Sequence, residues 1–181
     1  MKCTNPEGGI EMIFEKYLIP DWCPESFSHV TAEKVTEFGG SALLCDIDNT
    51  LVTYDDPLPT PELLKWIEEM NDAGIQIAFV SNNDKERVSL FNSELGFVAY
   101  GKAGKPSGEY LLRAIEELGI EKEQAVLLGD QLLTDCAAAK RIGIPAFIVS
   151  PIKDKKTLFF RFKRLLEIPY MKKYRKIHMS R

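Results

Sequence analysis

Five short apolar runs divide this 181-residue chain, at residues 42–45, 75–80, 97–100, 124–128 and 146–149, and helical patterns lie between them. Residues 61–72 read as a helix capped by Thr60, with Pro61 at its first position, Leu63, Leu64, Ile67 and Met70 on one face, and Gly74 as its stop. Residues 84–95 form the next, with Val88, Phe91 and Leu95 inward and Gly96 ending it. Helices at 108–118 and 134–142 close at Gly119 and Gly143. Strand and helix alternating over short loops predict an α/β, Rossmann-like fold: a mostly parallel sheet with helices on both faces. Right-handed crossovers then put every strand's carboxyl end on one rim, where open α/β sheets bind ligands.

Several function classes fall away on composition. The hydrophobic fraction of 45% and charged fraction of 28% are those of an ordinary globular chain, long enough for one domain with a sizeable core. Only His29 and His178 are present, which excludes a multi-histidine zinc site and argues against Ser-His-Asp chemistry. Cys3, Cys23, Cys45 and Cys136 lack C-x-x-C spacing and read as reduced thiols. Residues 1–9 lack the apolar run of a secretory signal, and no stretch is long enough to span a bilayer, so a cytoplasmic location is expected.

Charge is distributed unevenly. Residues 1–150 hold 12 Lys and Arg against 25 Asp and Glu, net −13, whereas residues 151–181 hold 11 against 2, net +9. The chain is therefore expected to comprise a core over 1–150, with an amino-terminal extension, and a basic helix and tail over 151–181, either part of that domain or peripheral to it.

The first apolar run ends in Asp46-Ile47-Asp48-Asn49-Thr50. Two carboxylates so close repel one another and are best tolerated beside a cation or with one protonated. A plainer account makes Asp48 or Asn49 an Asx-turn residue and Thr50 a helix cap. The second run ends in Ser81-Asn82-Asn83, Lys105 lies in the loop before the helix at 108–118, and the fourth run ends in Gly129-Asp130, with Asp135 five residues on. Taken singly, each could cap a helix or face solvent. Their conjunction on one rim is hard to explain by capping and points to metal-assisted phosphoryl transfer.

These residues, in this order, resemble the four motifs of the haloacid dehalogenase (HAD) superfamily. The continuation Asp48-Asn49-Thr50-Leu51-Val52, Val80-Ser81-Asn82-Asn83, Lys105-Pro106 and Gly129-Asp130-Gln131-Leu132-Leu133-Thr134-Asp135 are similar to the YqeG-like subclass IIIA phosphatases, which are related to phosphatidylglycerophosphate phosphatases. The likeness covers residues 12–170. It implies a nucleophile at Asp46, a proton donor and acceptor at Asp48, and phosphate binding by Thr50, Ser81, Asn82 and Lys105, with Asn82 either reaching the phosphate or tuning Ser81 and with Lys102 as the rival lysine. It implies Mg²⁺, held by Asp46, the backbone carbonyl of Asp48, Asp130 and, through water, Asp135; all are hard oxygen donors. Family members often carry a cap domain, but the segments at 51–74 and 83–104 leave no room for one. The implied substrate is a phosphate monoester, phosphatidylglycerophosphate first, with small soluble esters or a phosphoprotein as alternatives.

The basic segment adds a surface. Over residues 157–168, helical spacing gathers Leu158, Phe159, Phe162, Leu165 and Leu166 on one stripe and puts Arg161, Lys163 and Arg164 on the rest. The stripe is expected to dock on the core with its charged back in solvent. Phe160 on the charged face, and Tyr170 and Tyr174 among Lys172, Lys173, Arg175 and Lys176, also suit an anionic membrane surface at the inner face of a membrane. An RNA- or ribosome-associated role for the tail is the reading from another class, and ranks lower because no aromatic RNA-binding signature accompanies it.

Overall fold

The computed structural model describes residues 14–153 and 158–179. The predicted entry helix from Ile10 lies outside the described residues as far as Ile13, as does Cys3. The chain forms β1 (Ala42–Cys45), β2 (Gln76–Val80), β3 (Val98–Tyr100), β4 (Ala125–Gly129) and β5 (Ala146–Ile148). Its helices are α1 (Ala32–Glu37), α2 (Pro61–Asp72), α3 (Lys85–Phe91), α4 (Glu109–Leu118), α5 (Ala137–Ile142) and α6 (Leu158–Met179). The strands make one parallel sheet in the order β3-β2-β1-β4-β5. This is the predicted Rossmann-like α/β fold; residues 46–75 between β1 and β2 hold α2 and its loops, and residues 81–124 between β2 and β4 hold α3, β3, α4 and a 3₁₀ turn at Lys122–Gln124, so neither segment forms a cap domain.

Strand periodicity explains why helices cover both faces. Leu43, Cys45, Ile77, Phe79, Val126, Leu128 and Phe147 point to one side, where α2 and α3 supply Leu63, Trp66, Ile67, Met70, Val88 and Phe91. Leu44, Ala78, Val80, Leu127, Ala146 and Ile148 point to the other, against Leu111, Ala114 and Ile115 of α4 and the small residues Ala137, Ala138 and Ala139 of α5. Each fully buried Leu or Phe contributes on the order of 1.5–3 kcal/mol.

Several boundaries and faces differ from expectation. In α2 the inward set is Leu63, Trp66, Ile67 and Met70, because i, i+3, i+4, i+7 spacing turns Leu64 outward, 42% exposed, while Trp66 is 4% exposed and donates from Nε1 to the Val30 carbonyl at 2.8 Å. The helix predicted over 84–95 stops at Phe91, since the Asn92 side chain bonds both the N–H and the carbonyl of Phe97 (3.1 and 2.7 Å) and closes a turn. The helix predicted from 134 is preceded by a widened turn, Leu132–Cys136, before α5 proper begins.

The largest departure is α6. The described members of its predicted apolar stripe do not dock: Phe162 and Leu165 are 59% and 62% exposed and Leu166 is exposed as well, as is the neighbouring Ile168. The side chains of residues 158–161 lie outside the description. The inward face instead carries Arg164, Glu167, Tyr170, Met171 and Tyr174, with Glu167 only 4% exposed. Buried polar groups of the turn after β4 require partners, and Arg164 and Glu167 supply them, so hydrogen bonding overrides hydrophobic spacing. Tyr174 adds a hydroxyl that accepts from the Cys23 N–H at 3.0 Å.

Candidate active site

The carboxyl ends of β1, β2 and β4 meet at a pocket of about 240 Å³ lined by Asp46, Asp48, Tyr54, Ser81, Asn82, Asn83, Lys105, Gln131, Thr134, Asp135 and Lys163. Asp46 immediately follows β1, the central strand, and its backbone N–H donates to the Leu128 carbonyl of β4 at 2.8 Å, which fixes where the carboxylate emerges. The chain then reverses. Asn49 adopts φ 68°, a left-handed conformation that Asn tolerates better than most residues, and the N–H groups of Leu51 and Val52 both return to the Ile47 carbonyl. No helix starts here. Thr50 points its hydroxyl at Asp46 Oδ2, at 3.4 Å, so the capping account of this segment fails.

Lys105 is the electrostatic centre. Its ammonium lies 2.8 Å from Asp46 Oδ1 and 2.6 Å from Asp135 Oδ1, and the lysine is buried. Its loop is fastened to β2 by Asn82, whose side-chain oxygen accepts from the Lys105 N–H at 2.7 Å while its amide donates to the Lys105 carbonyl at 2.9 Å. Lys102, the rival, is surface-exposed and pairs with Asp84 at 3.0 Å. Asn82 therefore lines the pocket with its amide already engaged in placing Lys105.

Oxygens of Asp46, Asp130 and Asp135 lie within 4.8 Å of one another, all buried. Lys105, shared between Asp46 and Asp135, and Arg164, which bonds Asp130 at 2.7 Å but is also paired with Glu167, do not balance the three carboxylates. Burial, reinforced by Asp135 and resisted by Lys105, holds the Asp46 carboxyl above its ordinary range. Burial, with Asp135 and Asp46, does the same for Asp130 against the pull of Arg164. Burial also pushes the Tyr54 phenol up, helped by Asp130, Asp46, Asp48 and Asp135, as expected beside a site of negative potential. A cluster of hard oxygens with an unbalanced negative charge fits a small divalent cation such as Mg²⁺.

The Asp48 carboxylate is turned away from that cluster. Its Oδ2 accepts from the Asn83 amide at 2.8 Å and its Oδ1 from Arg87 at 3.1 Å, and Arg87 is itself braced on the carbonyls of Pro57 and Asp56. Of the predicted metal donors, the side chains of Asp46, Asp130 and Asp135 converge and that of Asp48 does not, leaving only its backbone carbonyl for the role expected of it. Ser81 is buried at the pocket wall, and its hydroxyl accepts from the Asn83 N–H at 3.2 Å.

Gly129 sets the spacing of the third wall. A Cβ there would fall 2.5 Å from the Asp135 side chain, so only glycine lets Asp135 lie against the end of β4. The same aspartate accepts from the Gln131 N–H at 3.0 Å. Sequence reasoning missed Tyr54, Arg87, Gln131, Thr134, Lys163, Arg164 and Glu167. Helical spacing alone puts Arg161, Lys163 and Arg164 on a solvated back. The i, i+3 spacing of Arg164 and Glu167 was the available sign of this internal pair.

A family model described as "haloacid dehalogenase-like hydrolase" matches residues 11–143. "Probable phosphatase YqeG" of Bacillus subtilis (strain 168) is 39% identical over 155 residues, covering 86% of this chain and 90% of that protein. "Phospholysine phosphohistidine inorganic pyrophosphate phosphatase" of Xenopus laevis is 41% identical over 46 residues, 25% of this chain and 17% of that protein. A crystal structure of an uncharacterized protein from Listeria monocytogenes serotype 4b shares the fold, with a TM-score of 0.51 and 20% identity over 65% of this chain and 84% of that one. The chain belongs to the haloacid dehalogenase-like hydrolases and, within them, is a YqeG-like phosphatase.

Proposed function

We propose that the protein is a Mg²⁺-dependent phosphomonoesterase working through an aspartyl-phosphate at Asp46. The observation that carries this reading is the placement of the Asp46 carboxylate at the end of the central strand, 2.8 Å from a buried lysine and within 4.8 Å of two further carboxylates. A carboxylate approaches a phosphate dianion only when positive charge offsets their repulsion. Asp46, Asp130 and Asp135 would hold the cation, Asp135 through water, with the Asp48 carbonyl as a further donor. When bound, the ion supplies charge neutralisation for the phosphoryl oxygens.

Asp46 attacks phosphorus, the P–O bond to the leaving alkoxide breaks, and Asp48 gives that alkoxide a proton. Water then attacks the aspartyl-phosphate, Asp48 takes its proton, and phosphate leaves with Asp46 restored. Lys105 and the hydroxyls of Thr50 and Ser81 bind the phosphoryl oxygens, where a loose transition state spreads its charge. Asn82 contributes by holding the Lys105 loop.

We further propose phosphatidylglycerophosphate as the substrate, met on an anionic membrane surface at its cytoplasmic face. The uncapped pocket admits a bulky ester, and Lys163 at its wall suits a leaving group that carries a second negative charge. The exposed Phe162, Leu165, Leu166 and Ile168 of α6, followed by exposed Lys172, Lys173, Arg175 and Lys176, provide an apolar and basic surface for lipid. No helix among the described residues is long and apolar enough to cross a membrane.

The test is phosphate release from phosphatidylglycerophosphate in anionic vesicles with Mg²⁺, with Asp46→Asn as control. Release that needs Mg²⁺ and falls about 10⁴-fold or more in the variant supports both proposals. Release from p-nitrophenyl phosphate alone would keep the chemistry and remove the lipid substrate. Undiminished release by Asp46→Asn would sink the nucleophile assignment.

A further inference from the structure

The last helix reaches the active site through charge. Arg164 of α6 donates from one guanidinium nitrogen to Asp130 Oδ2 at 2.7 Å and from the other to the Asp130 backbone carbonyl at 2.8 Å. It grips both the side chain and the main chain of one residue. Glu167, one turn further on, accepts from Arg164 at 2.9 Å through Oε2, and through Oε1 from the N–H groups of Leu132 and Leu133 at 2.8 and 3.3 Å. The turn between Asp130 and Asp135 is thus held at its start by Arg164 and just beyond by Glu167. Both residues lie past residue 143, where the family match ends.

We infer that Arg164 is a positioning residue for the metal site, with Glu167 as its support. The inference rests on the reading of Asp130 as a cation ligand. Arg164 occupies Oδ2, while among the described residues the contact to Oδ1 is a long one of 3.4 Å from the Gln131 side chain, so the clamp holds one oxygen and leaves the other for the cluster with Asp46 and Asp135. A planar fork can bond a carboxylate oxygen and a carbonyl together, which an ammonium cannot do with the same geometry. Glu167 offsets the charge that Arg164 would otherwise place beside a cation. Groups that orient metal ligands in this way commonly change metal affinity about 10- to 100-fold when removed.

The inference also gives α6 its place in the molecule. The helix that presents an apolar outer face is the one whose inner face fixes a ligand loop. Metal affinity therefore depends on α6 being docked, although the helix contributes none of the three converging carboxylates.

The experiment is calorimetric titration of the full chain with Mg²⁺ alone, in wild type, Arg164→Gln, Arg164→Lys and Glu167→Gln, with circular dichroism to establish folding. Arg164→Gln should weaken Mg²⁺ binding about 10- to 100-fold, and Arg164→Lys should recover only part of the loss. At saturating Mg²⁺ the KM for p-nitrophenyl phosphate should stay within about twofold of wild type, which a general disruption of the pocket would not allow. Glu167→Gln keeps an acceptor for the Leu132 and Leu133 N–H groups, so it tests the support even if the arginine variants fold poorly; it should weaken Mg²⁺ binding several-fold. Unchanged Mg²⁺ affinity in folded Arg164→Gln overturns the inference. Tighter binding overturns it too, because Arg164 would then be a competitor for the site. Absence of Mg²⁺ binding in the wild type would instead remove the metal reading beneath it.

Discussion

The strand-end rim and the inner face of α6 both bury charge, but they balance it differently. On the rim, Asp46, Asp130 and Asp135 converge, with the Lys105 ammonium paired to Asp46 and Asp135. On α6, Arg164 and Glu167 pair with each other, Arg164 also bonds Asp130, and Glu167 also accepts from two backbone N–H groups. A paired, hydrogen-bonded cluster is stable as it stands, whereas a cluster with surplus negative charge stays costly until a cation or a proton arrives. The difference separates a region built to accept a ligand from one built to hold it in place.

The largest effect expected within this contrast comes from Asp48, which is braced by Asn83 and Arg87 rather than drawn into the crowded cluster. Asp48→Asn should cut kcat about 10²- to 10⁴-fold on an alkyl phosphate and much less on p-nitrophenyl phosphate, whose leaving group needs no proton. Steady-state kinetics on both substrates check this. Equal losses would remove Asp48 from the leaving-group step and make it a structural partner of Arg87.

The same contrast explains what the sequence disclosed. Asp46, Asp48, Ser81, Lys105 and Asp130 were legible because each follows an apolar run, and a parallel sheet carries all such positions to one rim. The parallel sheet with helices on both faces followed from strand and helix alternating over short loops, whereas the strand order had no local signal. The inward face of α6 was illegible for a physical reason. Apolar periodicity reports which face prefers to leave water, but the turn after β4 exposes N–H and carbonyl groups that need partners, and no local pattern announces that demand. Arg87 was hidden similarly, since its partners Asp48, Asp56 and Pro57 are 30 or more residues away along the chain.

Gly129 tests how tightly the rim is packed. In Gly129→Ala the new methyl would meet the Asp135 side chain at 2.5 Å, so Asp135 must move away from Lys105. The expected cost is about 1–3 kcal/mol of stability. A loss of about 10²-fold in kcat/KM should accompany it, since a shift of this size disturbs the reacting geometry. Thermal unfolding and kinetics on one preparation measure both, and a stable, fully active variant would show that the Asp135 position is not critical.

Surplus charge on the rim also makes a pH prediction. Asp46 and Asp130 hold their protons above the ordinary carboxylate range in the folded chain. The stability they contribute is complete below the unfolded value of about 4 and is lost as pH rises through their elevated folded values. A cation that replaces those protons stabilises most where the protons have gone. The gain in unfolding free energy on adding Mg²⁺, read from the rise in Tm, should therefore be small near pH 5 and grow toward pH 8, approaching about 2.7 kcal/mol where Mg²⁺ stands at a hundredfold excess over Kd. A gain independent of pH would mean that the three carboxylates do not bind the ion.

The smallest effect falls on the outer face of α6, and its smallness is the point. Phe162 and Leu165 are large apolar residues, and the spacing around them would make them the docked face; yet they are exposed, while Glu167 is buried. Replacing both, as Phe162→Ser with Leu165→Ser, should change unfolding stability by about 0.5 kcal/mol or less, the usual range for surface sites. Glu167→Ala should cost roughly 1–3 kcal/mol, because it strands the buried Leu132 N–H and removes a partner of Arg164. Denaturant unfolding of the two variants side by side ranks the faces directly. If the double serine variant is the more destabilised, the helix is docked by its apolar stripe, and the clamp on Asp130 goes with it. If the ranking holds and the double variant also loses affinity for anionic vesicles, the two faces have separate tasks, one turned to lipid and the other to the ligand loop.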